Sequence, residues 1–212
     1  MKTLALLLVM VAAATTVWAE DAKPLLVQPR KIIAQPDLQQ PLGAGWSIRK
    51  GTWDVKGGEL VAAEVPADKH SAVLWQQVGL QSAVIECEFQ FAGGKVFIIG
   101  CDSEKKHVGR LTITPKVAKL SEDASEVKGQ HPGTMLGQAA LDLQPGCWYA
   151  VRLEWKGNQM AARVAGKELQ GEHPSLATPK ARWWFAVGGA KVLVKNIKAC
   201  EGKQAKNPGK AQ

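Results

Sequence analysis

The chain has 212 residues, of which 46% are hydrophobic and 22% charged, and its formal net charge at pH 7 is +8. This length is enough for one domain with a proper hydrophobic core but not comfortably for two. The positive charge favours weak attraction to acidic surfaces. Because no nucleic-acid recognition motif accompanies it, we expect no specific nucleic-acid partner.

The first residues have the organisation of a secretory signal peptide. Lys2 precedes an apolar run that is too short to span a bilayer, and the small residue Ala19 stands directly before the acidic Glu20. Cleavage after Ala19 would leave about 193 residues with a net charge of +7, because Lys2 leaves with the peptide. We therefore expect residues 1–19 to be removed and the protein to be secreted or periplasmic, with no membrane span.

The remaining sequence divides into three parts. Residues 20–37 contain Pro and Gln and form either a linker or an edge strand. Residues 38–201 form the domain. Residues 202–212 have no apolar side chain larger than alanine, which predicts a disordered basic tail.

Short segments of alternating hydrophobicity recur along the domain, joined by turns that contain Gly. Just after the single tyrosine, for example, Val151, Leu153 and Trp155 fall on one side of a predicted strand, and Arg152 and Glu154 fall on the other. The pattern predicts strands at residues 51–56, 59–64, 72–77, 83–91, 95–101, 108–114, 147–156, 159–165, 183–188 and 192–199. With no convincing helix between them and a long loop at 121–146, the sequence predicts an all-β, two-sheet antiparallel sandwich.

Four cysteines in an exported chain favour disulfide bonds. If the two strands on either side of Gly93 form a hairpin, Cys87 faces Cys101 with a Cα separation of about 4.5 to 5.5 Å, which a disulfide can bridge. Cys147 and Cys200 would then form the second pair by elimination. The alternative is that all four are free and packed as small hydrophobic residues.

Several motifs resemble the secreted 3-keto-disaccharide hydrolase family. They are GWSIRKGTWDVKGGEL at 45–60, IECEFQF at 85–91, CWYAVRLEWKGN at 147–158, VAGKEL at 164–169 and VLVKNIKA at 192–199. The resemblance covers most of residues 45–200. It implies a concanavalin A-like jelly roll, related in shape to laminarinase-type glycoside hydrolases and laminin G modules, and an activity on 3-keto-glycosides.

The chain departs from this family in the middle of the domain. Members typically carry an Asn-Ser-Gly stretch that leads into an Arg, followed by a Tyr-Glu segment that ends in Asp. This chain has KVFIIGCDSEKKHVGRLTI at 95–113 instead. His107 and Arg110 lie close to the family's polar groove residues, so they are candidates for sugar contact.

Glu86 and Glu88 are the candidate catalytic residues. Both lie on the polar side of the strand at 83–91, with Cα atoms about 6.6 Å apart, which suits paired-carboxylate work on a glycoside. A 3-keto sugar does not need two catalytic groups, because its ketone acidifies the C2 proton. One base, Glu88 or His107, can then drive elimination across the glycosidic bond. The alternative is that both carboxylates belong to a solvated strand face.

Further candidates for ligand binding are Gln90, on the same side as these glutamates, and the tryptophans Trp148 and Trp184. An indole ring stacks well on the apolar face of a pyranose. The other tryptophans that alternate with aliphatic residues are predicted to be core, namely Trp46, Trp53, Trp75 and Trp155. The histidines are scattered singly, so we predict neither a metal site nor a cofactor.

Three functions remain open at this point. The first is a carbohydrate-active enzyme of the 3-keto-disaccharide hydrolase type. The second is a non-catalytic carbohydrate-binding or laminin G-like module of the same fold, and the third is an envelope interaction protein without a small ligand. Because one fold hosts many functions, the fold alone cannot decide among them. The partner we expect is an oligosaccharide or glycoside.

Overall fold

The computed structural model describes residues 23–123 and 133–204. The predicted signal peptide, residues 1–19, and the last part of the predicted tail, residues 205–212, lie outside the described residues. No helix within the described ranges is both long enough and apolar enough to cross a membrane.

The strands, in chain order, are β1 (Val27–Ala34), β2 (Trp46–Lys50), β3 (Thr52–Lys56), β4 (Glu59–Ala63), β5 (Ala72–Gln76), β6 (Ser82–Phe91), β7 (Gly94–Asp102), β8 (His107–Ile113), β9 (Val117–Glu122), β10 (Thr134–Ala140), β11 (Tyr149–Lys156), β12 (Gln159–Val164), β13 (Lys167–Glu172), β14 (Arg182–Gly189) and β15 (Val192–Gln204). Two short 3₁₀ turns lie at Pro66–Asp68 and Pro174–Ala177.

These strands form two antiparallel sheets. The larger sheet has the order β13-β12-β11-β6-β15-β4-β3, with β1 paired to β15, and the smaller sheet has the order β10-β9-β8-β7-β14-β5-β2. The ladders within both sheets are antiparallel. The predicted two-sheet antiparallel sandwich is confirmed.

The hydrophobic core lies between the sheets, because alternate residues of each strand point inwards. Phe89 on the larger sheet contacts Phe97 on the smaller sheet with ring centroids 5.2 Å apart, and Phe97 contacts Phe185 at 5.4 Å. Trp53 and Trp155 are buried in the same core. Burial of these large side chains supplies most of the driving force that holds the two sheets together.

The strands predicted from alternation are present, but other strands were not predicted. Residues 121–146 are not one long loop, because β9 continues to Glu122 and β10 pairs with it. Strand β10 lacks a clear alternation and is at most half-buried, so its sequence gave no strand signal. β1 pairs with the end of β15, which continues to Gln204, so residues 202–204 are strand and not tail.

Strands β6 and β7 do not form a hairpin, so the predicted pairing of Cys87 with Cys101 is wrong. Strand β6 pairs with β11 and β15, whereas β7 pairs with β8 and β14 in the other sheet. The chain changes sheet at residues 92–94, where the backbone N–H groups at both ends of the turn donate to Lys191 O at 3.0 and 2.7 Å. Residues alternate between inward and outward positions both in the strands of a hairpin and in strands that belong to two packed sheets. The alternation therefore could not show whether β6 and β7 pair with each other or lie in different sheets.

The second predicted disulfide is also absent, and all four cysteines are free thiols. Cys200 lies opposite Val84 on β6, whereas Tyr149, two residues after Cys147, lies opposite Phe89 on the same strand. Five residues of strand separate these positions, or about 17 Å. Cys147 is exposed, and the other three thiols are buried.

The first described residues cross the outer face of the larger sheet. The side chain of Glu154 is fully buried there, and its carboxylate accepts hydrogen bonds from the backbone N–H groups of Leu25, Leu26 and Val27 at 3.0, 2.6 and 2.6 Å. Arg152 Nε donates to the same carboxylate at 2.5 Å. Arg152 and Glu154 point away from the core, as their alternation predicted, but this segment covers them.

Candidate functional site

Six side chains form a polar and aromatic patch on the outer face of the smaller sheet: Trp75, Asp102, His107, Arg110, Arg182 and Trp184. We call this patch the Asp102 face. The ladder register brings its members together, because Arg182 and His107 both lie opposite Asp102 on neighbouring strands. Trp184, on the same strand as Arg182, lies opposite Trp75 of β5.

Asp102 is the centre of this face. Its side chain is only 1% exposed, and Oδ1 accepts hydrogen bonds from Trp184 Nε1 at 2.5 Å and from His107 Nδ1 at 2.7 Å. Oδ2 accepts from Arg182 Nε at 3.1 Å. A buried carboxylate needs charged and hydrogen-bonding partners, and these three donors supply them.

Trp184 packs between the strand backbone and the other side chains of this face. Its ring lies against Gly100, where an added Cβ would approach the indole to 2.2 Å, so any larger residue at that position would force the ring to move. His107 packs over it with ring centroids 5.5 Å apart. Trp184 is therefore only 5% exposed, and it orients its neighbours instead of offering an open surface for stacking.

Trp75 lies on this outer face, so its predicted place in the core is wrong. The guanidinium carbons of Arg182 and Arg49 lie 4.1 and 4.5 Å from its ring centroid, which are cation–π distances. The other residues of β5 explain the error. Leu74 and Gln76 fill the inward positions, which leaves Trp75 on the opposite side of the strand.

Arg110 and His107 bring this face into contact with solvent. Their side chains are 39% and 40% exposed, whereas the carboxylates that hold them, Asp123 and Asp102, are nearly buried. Arg110 Nη2 lies 3.0 Å from Asp123 Oδ1. The anionic groups are thus held beneath the surface, and planar hydrogen-bond donors are presented to the outside.

The Asp102–His107 contact fixes the chemistry of the imidazole. An ionised carboxylate only accepts hydrogen bonds, so Nδ1 of His107 carries the hydrogen in this pair. In the neutral ring Nε2 is then the basic nitrogen. A neutral imidazole in this tautomer is the form that acts as a general base at Nε2.

Glu86 and Glu88 lie on the outer face of the larger sheet, on the other side of the sandwich. Glu86 forms an ion pair with Arg152. Glu88 Oε1 accepts a hydrogen bond from Asn196 Nδ2 at 2.7 Å, and its Oε2 lies 3.5 Å from Lys195 Nζ. Each carboxylate therefore has a cationic partner on its own sheet.

Gln90 and Trp148 lie on the same side as these glutamates. Gln90 Nε2 donates to Gly146 O at 2.7 Å, and Lys195 Nζ lies 4.0 Å from the Trp148 ring centroid. The sequence-predicted residues thus divide into two groups on opposite sides of the sandwich: Glu86, Glu88, Gln90 and Trp148 on the larger sheet, and His107, Arg110 and Trp184 on the smaller sheet. Their predicted roles stay predictions, but they do not form one site.

Sequence reasoning missed Asp102, Arg182 and Trp75 as members of a site. Arg182 and Trp184 alternate with Trp183, which alone predicts that they share one face. Asp102 ends a strand whose other outward positions are small or apolar, so nothing local marks it as a hydrogen-bonding centre. In residues 23–123 and 133–204, no group of three or more His, Cys, Asp or Glu side chains is placed to hold a metal ion.

Searches with protein-family models and against curated protein sequences find no match to this chain. Solved structures do match it. A carbohydrate-binding module, CBM66 from Bacillus subtilis, aligns with a TM-score of 0.61 at 10% identity and covers 74% of this chain and 96% of that chain. A Bacillus subtilis protein with a galectin-like fold has a TM-score of 0.64 at 10% identity, over 84% of this chain and 100% of that chain.

A third match is SCLam, a non-specific endo-β-1,3(4)-glucanase from family GH16, with a TM-score of 0.61 at 12% identity over 84% of this chain and 96% of that chain. The chain has the galectin-like and concanavalin A-like sandwich fold. At these identities the likeness shows the fold alone. The narrower resemblance to 3-keto-disaccharide hydrolases stays a prediction.

Proposed function

We propose that this protein is an exported carbohydrate-binding protein that holds its glycan on the Asp102 face. The predicted signal peptide supports export. The observation that carries the proposal is the buried Asp102, which fixes His107 and Arg182 while His107 and Arg110 remain partly exposed. The matched CBM66 module and GH16 glucanase support it at the level of fold.

The chemistry of this face suits sugar hydroxyls, which both donate and accept hydrogen bonds. Arg110 offers guanidinium N–H donors in a planar fork, and the His107 side chain, held by Asp102, is 40% exposed. Both groups are held by buried carboxylates, so binding costs less side-chain entropy than it would on a mobile surface. A ligand hydroxyl therefore meets groups that are already in place.

A glycan array followed by calorimetry tests this proposal. We expect Arg110→Ala to weaken binding of the array-selected glycan by about tenfold or more, the usual loss for a hydrogen bond to a charged group. The matched control is Glu88→Gln on the opposite sheet, which should bind normally. An array without binding, or equal weakening by both variants, would contradict the assignment to this face.

The Asp102–His107 hydrogen bond favours a second candidate function, the cleavage of 3-keto-glycosides. In that reaction Nε2 of His107 would take the C2 proton, which the neighbouring ketone acidifies. The electron pair would form a C1–C2 double bond, and the C1–oxygen bond to the leaving group would break, with the leaving oxygen taking a proton from water. A buried carboxylate behind an imidazole stabilises the imidazolium that forms.

Turnover of a 3-keto-disaccharide tests this candidate. We expect His107→Gln to abolish release of the leaving sugar while leaving the melting temperature within a few degrees. Glu88→Gln is the matched control, because it tests the carboxylate predicted from sequence on the other sheet. Loss of turnover in the Glu88 variant alone would move the chemistry to the larger sheet.

A further inference from the structure

The exposed charge on the strands of the smaller sheet is positive. As far as the structure describes the chain, the acidic residues on these strands are Asp102 and Glu122, and both are buried. Asp123, which directly follows β9, is nearly buried as well. The lysines and arginines on the same strands are more numerous, and none of them is buried: Arg49, Lys50, Lys95, Arg110, Lys119 and Arg182. A ligand that approaches this sheet therefore meets positive charge.

The larger sheet differs, because it exposes both signs of charge. Its exposed Asp54 pairs with Lys56 on the same strand at 3.1 Å, and its exposed Glu168 pairs with Arg163 on the neighbouring strand. Opposite charges that lie side by side attract a distant ion only weakly. The two outer faces of the sandwich thus present different fields to a ligand, and the smaller sheet is the one that attracts anions.

A line of short side chains crosses the smaller sheet beside the Asp102 face. The ladder register sets four outward residues opposite one another, one on each of β5, β14, β7 and β8: Val73, Ala186, Ile98 and Thr112. We call these four the Val73 line. Three of them stand two residues along their strands from the taller Trp75, Trp184 and Arg110. The Val73 line therefore lies lower than the Asp102 face, and a ligand on it can pack against the taller side chains.

Exposed cations lie at both ends of the Val73 line. At the β2 end, the guanidinium carbon of Arg49 lies 4.5 Å from the Trp75 ring centroid. At the β9 end, Lys119 lies opposite Thr112 and points outwards, because both of its neighbours in β9 are buried. In the part of the chain that the structure describes, neither Arg49 nor Lys119 forms an ion pair with a carboxylate. Strands β2 and β9 are five steps apart in the sheet, or about 24 Å.

The cations between these ends already have carboxylate partners. Arg182 Nε donates to Asp102 at 3.1 Å, and Arg110 Nη2 lies 3.0 Å from Asp123 Oδ1. The uncompensated charge therefore lies at the two ends, with hydrogen-bond donors and short side chains between them. A matching ligand carries anionic groups that are separated by neutral units rich in hydroxyls, as a uronic acid-containing oligosaccharide does. A nucleic acid strand matches less well, because each of its units carries a phosphate.

We propose that the ligand of the Asp102 face is an acidic oligosaccharide that contains uronic acid residues and lies along the Val73 line. Its carboxylates bind Arg49 at one end and Lys119 at the other, and the hydroxyls between them bind Arg110. Trp75 contacts the guanidinium of Arg49 through its ring, which leaves the N–H groups at the guanidinium edge for a planar carboxylate. This inference rests on the proposed function and names the ligand class of that same face.

Calorimetry with hexasaccharides of galacturonate, alginate and hyaluronan tests the inference. Each is compared with its carboxyl-reduced form, which keeps the rings and linkages but loses the charge. We expect at least one acidic hexasaccharide to bind about tenfold more tightly than its reduced form at low ionic strength, which is the gain expected from two exposed ion pairs.

Single substitutions then remove the end charges one at a time. Arg49→Gln and Lys119→Gln should each weaken binding of the acidic hexasaccharide by about three- to fivefold and leave binding of the reduced form unchanged. Arg30→Gln is the matched control, because Arg30 is also an exposed arginine but lies on β1 of the larger sheet. It lowers the net charge by the same amount as Arg49→Gln and should leave both affinities unchanged.

The outcomes separate this inference from the proposed function. Equal affinity for the acidic and the reduced hexasaccharides, with both weakened by Arg110→Ala, would overturn the inference and leave the Asp102 face as a glycan site. A protein that binds none of these hexasaccharides and no glycan on the array would contradict both. Equal weakening by Arg49→Gln and Arg30→Gln would overturn the inference by showing attraction through net charge alone. An oligothymidylate that binds as tightly as the best hexasaccharide would overturn it as well.

Discussion

The carboxylate of Glu154 holds the first described residues against the larger sheet, and Glu154→Gln tests how strongly. In the structure, Oε1 accepts from the Leu25 backbone N–H and from Arg152 Nε, and Oε2 accepts from the backbone N–H groups of Leu26 and Val27. Glutamine keeps the shape but replaces one of these oxygens with an NH₂ group. Whichever way the amide turns, two of the four donors lose their acceptor.

The expected loss of stability follows from these contacts. Each buried donor without a partner costs about 1 to 3 kcal/mol, so two donors cost about 2 to 6 kcal/mol. Removing one partner of a buried ion pair costs about 3 to 5 kcal/mol, and the two figures describe the same defect. We therefore expect Glu154→Gln to lower the free energy of unfolding by about 3 to 5 kcal/mol. For a domain of this size that lowers Tm by about 6 to 20 °C.

Urea and thermal denaturation measure this loss, and amide hydrogen exchange shows where it acts. The amides of Leu25 to Val27 should exchange faster in the variant than in the wild type. Asp142→Asn is the control, because Asp142 also pairs with a cation, at 2.6 Å from Lys116, but both of these side chains are exposed. It should leave the free energy of unfolding almost unchanged. Equal losses in the two variants would refute the reasoning and leave Val27, packed on Val84 and Cys200, as the main anchor.

Three further predictions follow from other parts of the fold. Gly100→Ala should cost about 1 to 3 kcal/mol, because Trp184 must move away from its new methyl group; the changes in tryptophan fluorescence and in the urea midpoint check this. Burial raises the pKa of Cys101 to about 12 and also raises the pKa values of the Cys87 and Cys200 thiols, so iodoacetamide at pH 8 should modify Cys147 alone in the folded protein, as mass spectrometry would show. Burial lowers the pKa of Lys180 from its ordinary 10.5, so Lys180→Met should raise stability at neutral pH and the advantage should vanish as the pH rises to 10.5; an advantage that is constant between pH 7 and 10.5 would contradict this.

The sense of the Lys180 prediction follows from proton binding. Because the folded state holds the Lys180 proton less tightly than the unfolded state, protonation favours unfolding. The wild type therefore carries the full penalty below the lowered pKa of the folded state. The penalty falls as the pH rises between that pKa and 10.5, and above 10.5 the amine is neutral in both states.

The sequence predicted which residues of a strand share a side, but not which strands pair. In β6, the alternation placed Cys87, Phe89 and Phe91 inwards and the glutamates outwards, and the structure has the same arrangement. The alternation has no information on partners, because pairing with β11 and β15 depends on residues at least 60 positions away. The hairpin and the disulfide predicted at Gly93 failed for this reason.

The candidate site was only partly predictable for a related reason. His107, Arg110 and Trp184 share a face because of local alternation and sheet pairing, and local patterns can indicate such residues. Asp102 becomes a centre only when β14 lies beside β7 and brings Arg182 and Trp184 to it. Likewise, nothing near Arg152 and Glu154 indicates that a segment about 128 residues earlier covers them.

The two outer faces of the sandwich use charge differently, and this difference favours the smaller sheet as the functional surface. On the larger sheet, the buried Glu154 accepts hydrogen bonds from Arg152 and from the main chain of the first described residues, so its charge stabilises the fold. On the smaller sheet, the buried Asp102 holds side chains whose outer parts remain in solvent, and Arg110 is presented in the same way by Asp123. Ordering exposed side chains gains little for folding, because exposed ion pairs contribute little stability. It does gain binding free energy, because the entropy of fixing those side chains is already lost before a ligand arrives.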